Sequence, residues 1–463
     1  MAEPDAIVAW FARWAAEVRW DRLAENVRRM AKDELADLLG DMAAGHALLG
    51  VPAWLAASAA WSGAGPCATI AGGRAAPASA CLLNGYFAHA LEFDDTHDAA
   101  VLHAGASVIP AVLAAAELRA PVAGARMLEA IVIGIELTCR LGVATRLSLV
   151  EGGWIYSGLL GHFGAAAGAA RIFSEDPAVW QSALGIAYVL ASGNHQSTRE
   201  GAETKHLQPA IAASHGVLAA AMAAGGLAGV RQPFLGEDGL DRVYLRGRLD
   251  AERVVADPDR FEIARLSFKP YPSCRLTHPA VTAALALRER VGVDGISALT
   301  LSLGPQAYDV VGRDLPERRA PASRLAAQFS AYWAVSVALA HGELSPAHLA
   351  SEVPQTPAVA RLIGAMRCEE VDSGEGGARD IGSAALVAEG DFGRVAIRAR
   401  NAKGHPDDPL TGEALGRKFA GNLALAGVSA AEAARLAAAI ETLDGAADGS
   451  GLMRRFATTC SGR

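Results

Sequence analysis

Lysine is scarce in this chain. Of the 42 Lys and Arg residues only five, Lys32, Lys205, Lys269, Lys403 and Lys418, are lysine, so arginine is the default cation. A lysine ammonium is compact and its pKa falls on burial, whereas arginine stays charged and planar. The few lysines therefore become candidates wherever they fall inside a motif. The six cysteines (Cys67, Cys81, Cys139, Cys274, Cys368, Cys460) include no CxxC pair and no ferredoxin-like spacing. This argues against an iron–sulfur cluster or a structural zinc site, and the expectation is reduced, mostly buried thiols in a cytoplasmic protein. No stretch gathers basic residues into a stripe, and a net charge of -8 gives no general attraction for nucleic acid or an anionic membrane. An anionic ligand must then be held by a few local cations. Long apolar runs are missing too: the longest, Gly216 to Val230, falls short of the roughly 20 residues of a membrane span. Met1 to Trp20 mixes Glu3, Asp5, Arg13, Glu17 and Arg19 among its apolar residues, as an amphipathic helix does and a signal peptide does not.

What is abundant is helical periodicity. With 463 residues, 51% of them hydrophobic, the chain can bury two ordinary cores. Ile7, Trp10, Phe11 and Trp14 share one helical face, as do Val27, Met30, Leu35, Leu38 and Leu39. Phe163–Ile172 and Ala210–Met222 are rich enough in Ala and Gly for close helix packing. After about residue 265 the texture changes. Phe268 to Pro279 brings three prolines, Ala280–Arg290 reads as a helix and Ala298–Leu303 as a strand. Ala384–Ala388 with Phe392–Arg398 reads as a hairpin. Glu369 to Asp380, rich in Gly and charge, is the expected mobile loop. Helix returns from Gly412 onward. The expected fold is mainly α: a large all-helical domain over residues 1–265, a smaller inserted α/β domain over 266–403, and C-terminal helices over 404–463 that rejoin the first domain.

Three segments concentrate chemistry. The first places His89, Glu92, Asp94, Asp95, His97 and His103 within fifteen residues. That density suits a general acid/base cluster in which carboxylates tune an imidazole. It also suits a divalent metal site, or a solvated helix end with ordinary charges. The second, Glu151 to Gly164, is a glycine-loosened loop leading into a helix, whose first amides can receive an anion. The third, Ser267 to Pro279, sets Lys269, Arg275 and His278 on a proline-stiffened stretch where the two units meet, the usual place for a small-molecule site.

Asn84-Gly, Glu92-Phe-Asp-Asp-Thr-His97, His103 with Pro110-Ala-Val-Leu-Ala, Lys269-Pro-Tyr-Pro-Ser-Cys, Thr277-His278, Gln328-Phe-Ser and Gly404-His-Pro-Asp-Asp-Pro-Leu-Thr411 with Lys418-Phe419 resemble, in that order, the MmgE/PrpD family. The resemblance runs over nearly the whole chain. It implies a helical domain with an inserted α/β lid, a homodimer, and a site between domain and lid that takes a small anionic carboxylate without a metal or cofactor. The family includes 2-methylcitrate dehydratase, cis-aconitate decarboxylase and iminodisuccinate epimerase.

Carried over by motif, the resemblance assigns acid/base work to His103, tuned by Asp94 or Asp95, and to Tyr308. It places Lys205, Lys269, Thr96 and Glu92 at the substrate site, and Arg275, Ser157, Cys274 and His278, on the same motif segments, are the further candidates for substrate binding. Three positions, in two motifs, depart from the family pattern. Ile155 and Ser157 stand where the glycine-loop motif carries histidine and threonine, and Cys274 stands where the decarboxylase branch carries histidine. The expected activity is therefore lyase or isomerase chemistry at a carbon α to a carboxylate, with dehydration of a 2-methylcitrate-like hydroxy acid first. Epimerisation of an iminodisuccinate-like dicarboxylate is the alternative. A catalytically idle carboxylate-binding relative and a metal hydrolase built on the Glu92–His103 cluster are the other readings.

Overall fold

Asp5 opens the first helix: its Oδ1 accepts a hydrogen bond from Val8 N at 2.9 Å, and Ile7, Phe11 and Trp14 of Ala6–Glu17 turn inward. The computed structural model describes residues 3–60, 63–350, 356–371 and 381–461. Helices Glu25–Leu49, Pro77–His89, Gly105–Leu118, Gly124–Ala144, Gly161–Phe173, Pro177–Leu190 and Thr204–Ala224 follow. Thr204–Ala224 runs through their middle and touches four of them, Pro77–His89, Gly105–Leu118, Gly161–Phe173 and Pro177–Leu190. Such contact demands small residues. At Gly216 a Cβ would fall 2.3 Å from the Ala165 methyl, so only hydrogen fits there. Among the described residues this is the one helix long and apolar enough to cross a membrane, but 56% of its apolar window is buried inside the protein. The apolar run Gly216 to Val230 splits, because the helix ends at Ala224 and the chain turns through Gly226 at φ +98°.

Beyond residue 265 the pattern becomes mixed. Met366–Glu370, Ile296–Leu303, Ala384–Gly390 and Gly393–Ala399 form one sheet in that spatial order, the first pair parallel and the others antiparallel. Leu299, Leu301 and Leu303 alternate inward along the central strand, as half-buried strands do. The hairpin closes from Gly390 to Gly393, and helix His278–Val291 lies against both of its strands. Of the expected mobile loop, Glu369 and Glu370 belong to a strand, and residues 372–380 lie outside the described residues.

The apolar side chains gather into two main clusters. One draws on residues 7–266 together with 419–457, so Phe419, Leu423, Leu436 and Phe456 of the C-terminal helices share a core with the first helices. Burying one such side chain stabilises by about 1.5–3 kcal/mol. The second cluster draws on residues 274–388. The backbone joins the two where Thr96 and Ser267 exchange hydrogen bonds of 2.9 and 2.7 Å. Nearby, Gln328 Nε2 donates to Ala90 O at 3.4 Å.

Candidate active site

The site begins where helix Pro77–His89 stops. Glu92 then adopts φ +51° and Val101 φ +53°, left-handed conformations that L side chains avoid. Two buried ammonium groups hold this turn. Lys269 Nζ donates to Glu92 O at 3.0 Å, and Lys418 Nζ, from helix Gly412–Leu425, donates to Phe93 O at 2.7 Å. Lys418 also pairs with Asp37 at 2.8 Å and Asp41 at 3.4 Å. Burial opposes its charge, but Asp37 and Asp41 outweigh it and hold the ammonium above its ordinary value. Three of the five lysines, Lys205, Lys269 and Lys418, thus converge on Glu92 and Phe93.

Glu92 is almost wholly buried. Its carboxylate takes a short ion pair from Lys205 and a longer one, 3.4 Å, from Lys269, with His206 Nε2 3.3 Å away. Burial alone would raise its pKa, yet the two lysines hold it well below the usual carboxylate range. The lysines expected to clamp a ligand are therefore already balanced by a protein carboxylate. Lys205 Nζ also lies 2.7 Å from His89 Nε2, and His89 Nδ1 lies 2.8 Å from Asp94 Oδ2. An ammonium can only donate, so Nε2 accepts and Nδ1 carries the proton towards Asp94. Burial works against the Asp94 charge, but His89, whose Nδ1–H donates to it, keeps it below its ordinary value.

His103 is fixed by the backbone on both sides. Its Nδ1 lies 2.6 Å from Asp95 O and 3.3 Å from Thr96 Oγ1, while its backbone N–H donates to Ser157 Oγ at 2.9 Å. A carbonyl oxygen only accepts, so Nδ1 bears the hydrogen and Nε2 bears the lone pair. Burial, then Lys269, pushes the imidazole pKa down to about 3, and the ring is neutral at ordinary pH. Asp95 caps the next helix: its carboxylate accepts from Ala104 N at 3.0 Å and Gly105 N at 3.1 Å. Burial and the neighbouring Asp94 raise Asp95 to about 7. A Cβ at position 105 would meet Glu34 Oε1 at 2.0 Å, so any larger residue there displaces the Glu34 carboxylate.

A cavity opens beside these groups, with walls from both cores. Thr96, His103, Ser157, Lys205, Glu92, Cys274 and Arg275 are on its wall. Of the residues singled out from sequence, Asp94, Asp95 and Lys269 stand behind that wall, holding His103 and Glu92. Tyr308 is not on the wall, whereas Val310 of the same segment is. His278 is fully buried beneath it, bonded to Arg275 at 3.3 Å and to Ser273 O at 3.2 Å. Cys274 is a buried thiol, pushed up to about 11 by burial and then Glu92, and stays protonated at ordinary pH.

Sequence reasoning passed over two residues. Asp98 receives Arg275 through two hydrogen bonds, Nε at 3.1 Å and Nη2 at 2.8 Å, the strong bidentate geometry. Arg275 Nη1 also donates to Lys403 O at 2.9 Å, so this guanidinium ties the segments together besides facing the cavity. The second is His195, on the cavity wall. It opens a run, His195, Arg199, Glu200, Glu203, Lys205 and His206, whose density of titratable groups is the signal that could have found it.

The arrangement is a cation-bearing, largely apolar-walled chamber with a neutral imidazole held by its neighbours, suited to moving a proton beside a carboxylate. Two family models match the chain: the MmgE/PrpD N-terminal domain over residues 9–252 and the MmgE/PrpD C-terminal domain over residues 271–444. The chain belongs to the MmgE/PrpD family. It is similar to a cis-aconitate decarboxylase of Aspergillus terreus, 27% identical over 393 residues and 79% of each chain. It is also similar to the cis-aconitate decarboxylase-like protein oryM of Aspergillus oryzae, 32% identical over 240 residues and 49% of each chain. The human cis-aconitate decarboxylase is 29% identical over 226 residues, 47% of this chain and 46% of that one.

Proposed function

We propose that the protein is a metal-independent lyase that removes the proton α to a carboxylate of a small tricarboxylate-like acid, and that it dehydrates a 2-methylcitrate-like hydroxy acid. The observation that carries this reading is His103: its Nδ1 is committed to Asp95 O, which leaves Nε2 as a neutral base on the cavity wall. Taking a proton beside a carboxylate builds further negative charge on an anion, and fixed cations must absorb it. Lys205, on the wall and paired with Glu92, is the cation for that task. In the elimination, Nε2 takes the α-proton, the C–H electron pair becomes the new C=C bond, and hydroxide departs with a proton as water.

Similarity to cis-aconitate decarboxylases favours a second reading, loss of a carboxyl group from a cis-aconitate-like acid. Cys274 weighs against it. A thiol held protonated up to about 11 does not do the work of the histidine that the decarboxylase branch carries there. The test is incubation of the purified chain with citrate-like hydroxy acids and cis-aconitate-like unsaturated acids, followed by NMR. Water loss from a hydroxy acid supports the first reading. Evolution of CO2 from an unsaturated acid with no dehydration selects the second.

A further inference from the structure

The family motif loses one imidazole at Ile155, and the structure brings another to the same cavity by a different route. We infer that His195 is the second proton-transfer group of this site, donating a proton to the leaving hydroxyl while His103 acts as base; the inference rests on the lyase reading above. Both histidines and Ile155 line the one cavity. His195 N–H donates to Gly153 O at 2.8 Å, two residues before Ile155, so the two segments run side by side where the missing imidazole belongs.

The segment that carries His195 is firmly built. Gln208 Oε1 accepts from Asn194 N at 2.7 Å, and its Nε2 donates to Asn194 O at 2.9 Å and Ser197 Oγ at 2.8 Å. One side chain thereby fixes the peptide immediately before His195 and the turn after it. Gln208 sits three residues beyond Lys205 on helix Thr204–Ala224, and residues at that spacing share a helical face. The same turn of helix thus positions the cation and the imidazole. Gly193, at φ +140°, brings the strand of chain close, since a Cβ there would lie 3.1 Å from Leu159 N and 3.3 Å from Ile155 O.

His195 is 5% exposed, and its Nδ1 is buried with no hydrogen-bond partner among the described residues. An unpaired buried nitrogen is costly. In a residue that lines the cavity, a ligand's hydroxyl or carboxylate would satisfy it. The charges that act on the ring come from three elements: Arg199 on its own short helix, Lys205 on the long helix, and Asp309 on the segment Tyr308–Gly312. Burial and Arg199 depress the imidazole to about 4, against Asp309. A substrate with two or three carboxylates entering beside it reverses that balance and favours the imidazolium.

The step balances without any co-reactant. His103 Nε2 gains the α-proton, the C–H pair forms the double bond, the C–O bond breaks, and the oxygen takes the proton from the His195 imidazolium and leaves as water. Exchange with solvent then restores both rings.

The test uses the full chain, wild type and the variants His195→Gln, His195→Ala and His103→Gln, with thermal melting to verify folding. Turnover of the hydroxy acid and α-proton exchange in deuterated water are measured together. Loss of a general acid predicts a fall in kcat of about 100-fold or more, with α-proton exchange retained, because the base is intact. Added imidazole should restore part of the turnover in folded His195→Ala, which a packing role would not allow. Unchanged turnover in His195→Gln overturns the inference. So does equal loss of exchange and turnover without imidazole rescue. If the wild-type chain itself exchanges no α-proton of any acid, the lyase reading fails first and takes this inference with it.

Discussion

Lys269 holds Glu92 twice, at its backbone carbonyl (3.0 Å) and at its side-chain carboxylate (3.4 Å), with the lysine wholly buried. Lys205 meets the same carboxylate from the cavity wall. Two lysines that look equivalent in sequence therefore have different tasks. One fixes the strained turn at Glu92, and the other faces the ligand.

The two lysine variants should part accordingly. Lys205→Met should stay folded and lose turnover by about 10- to 100-fold, the worth of one charge-assisted contact of roughly 1.5–3 kcal/mol. Lys269→Met removes one partner of a buried pair and should cost about 3–5 kcal/mol of stability. Chemical denaturation and steady-state kinetics on both variants check this. Lys205→Met breaks a buried pair with Glu92 as well, so both variants lose stability and kinetics separates them: undiminished turnover in a folded Lys205→Met would contradict the division of labour.

Glu34 supplies a pH test. Both its carboxylate oxygens are buried without a hydrogen-bond partner, and burial, then Asp95, raises its pKa well above the ordinary value. The folded protein therefore holds this proton more tightly than the unfolded chain. That stability is complete below the ordinary carboxyl range and is lost as pH rises towards the folded value. Melting temperatures at pH 5 and pH 8 should fall more for the wild type than for Glu34→Gln. Parallel curves would show that Glu34 is ionised in the fold.

His89, Asp94 and His103 offer ligand atoms within 4.8 Å of one another, and this triad is the geometric basis for the metal reading. A divalent ion there would face the Lys205 ammonium, 2.7 Å from His89 Nε2. It would also compete with the Asp95 carbonyl for His103 Nδ1. Exhaustive chelation should leave turnover unchanged. Activity lost on chelation and restored by a stated divalent ion would reverse this assignment.

Much of the fold was legible because it is local. Three-to-four residue periodicity marks Ala6–Glu17 and Glu25–Leu49, and alternation marks Ile296–Leu303 and the hairpin Ala384–Ala399. The segment from His89 to His103 stood out by density of chemistry, and it does form one edge of the cavity. What escaped was pairing over distance. Lys205 reaches Glu92 across 113 residues, and Arg275 reaches Asp98 across 177. No sequence pattern states which carboxylate a cation will choose. His195 escaped for the same reason: its meaning comes from Gln208 and Gly153, which tertiary folding brings to it.

The central claim is that His103 Nε2 is the base, and α-proton exchange reads it without waiting for product. The measurement is hydrogen–deuterium exchange by NMR for wild type and His103→Gln, on the acid that the wild type turns over. Loss of one well-placed base should slow exchange by about 100- to 10,000-fold, while the variant melts near the wild-type temperature. Exchange at the wild-type rate in a folded His103→Gln would contradict the account and move the base to another group on the cavity wall.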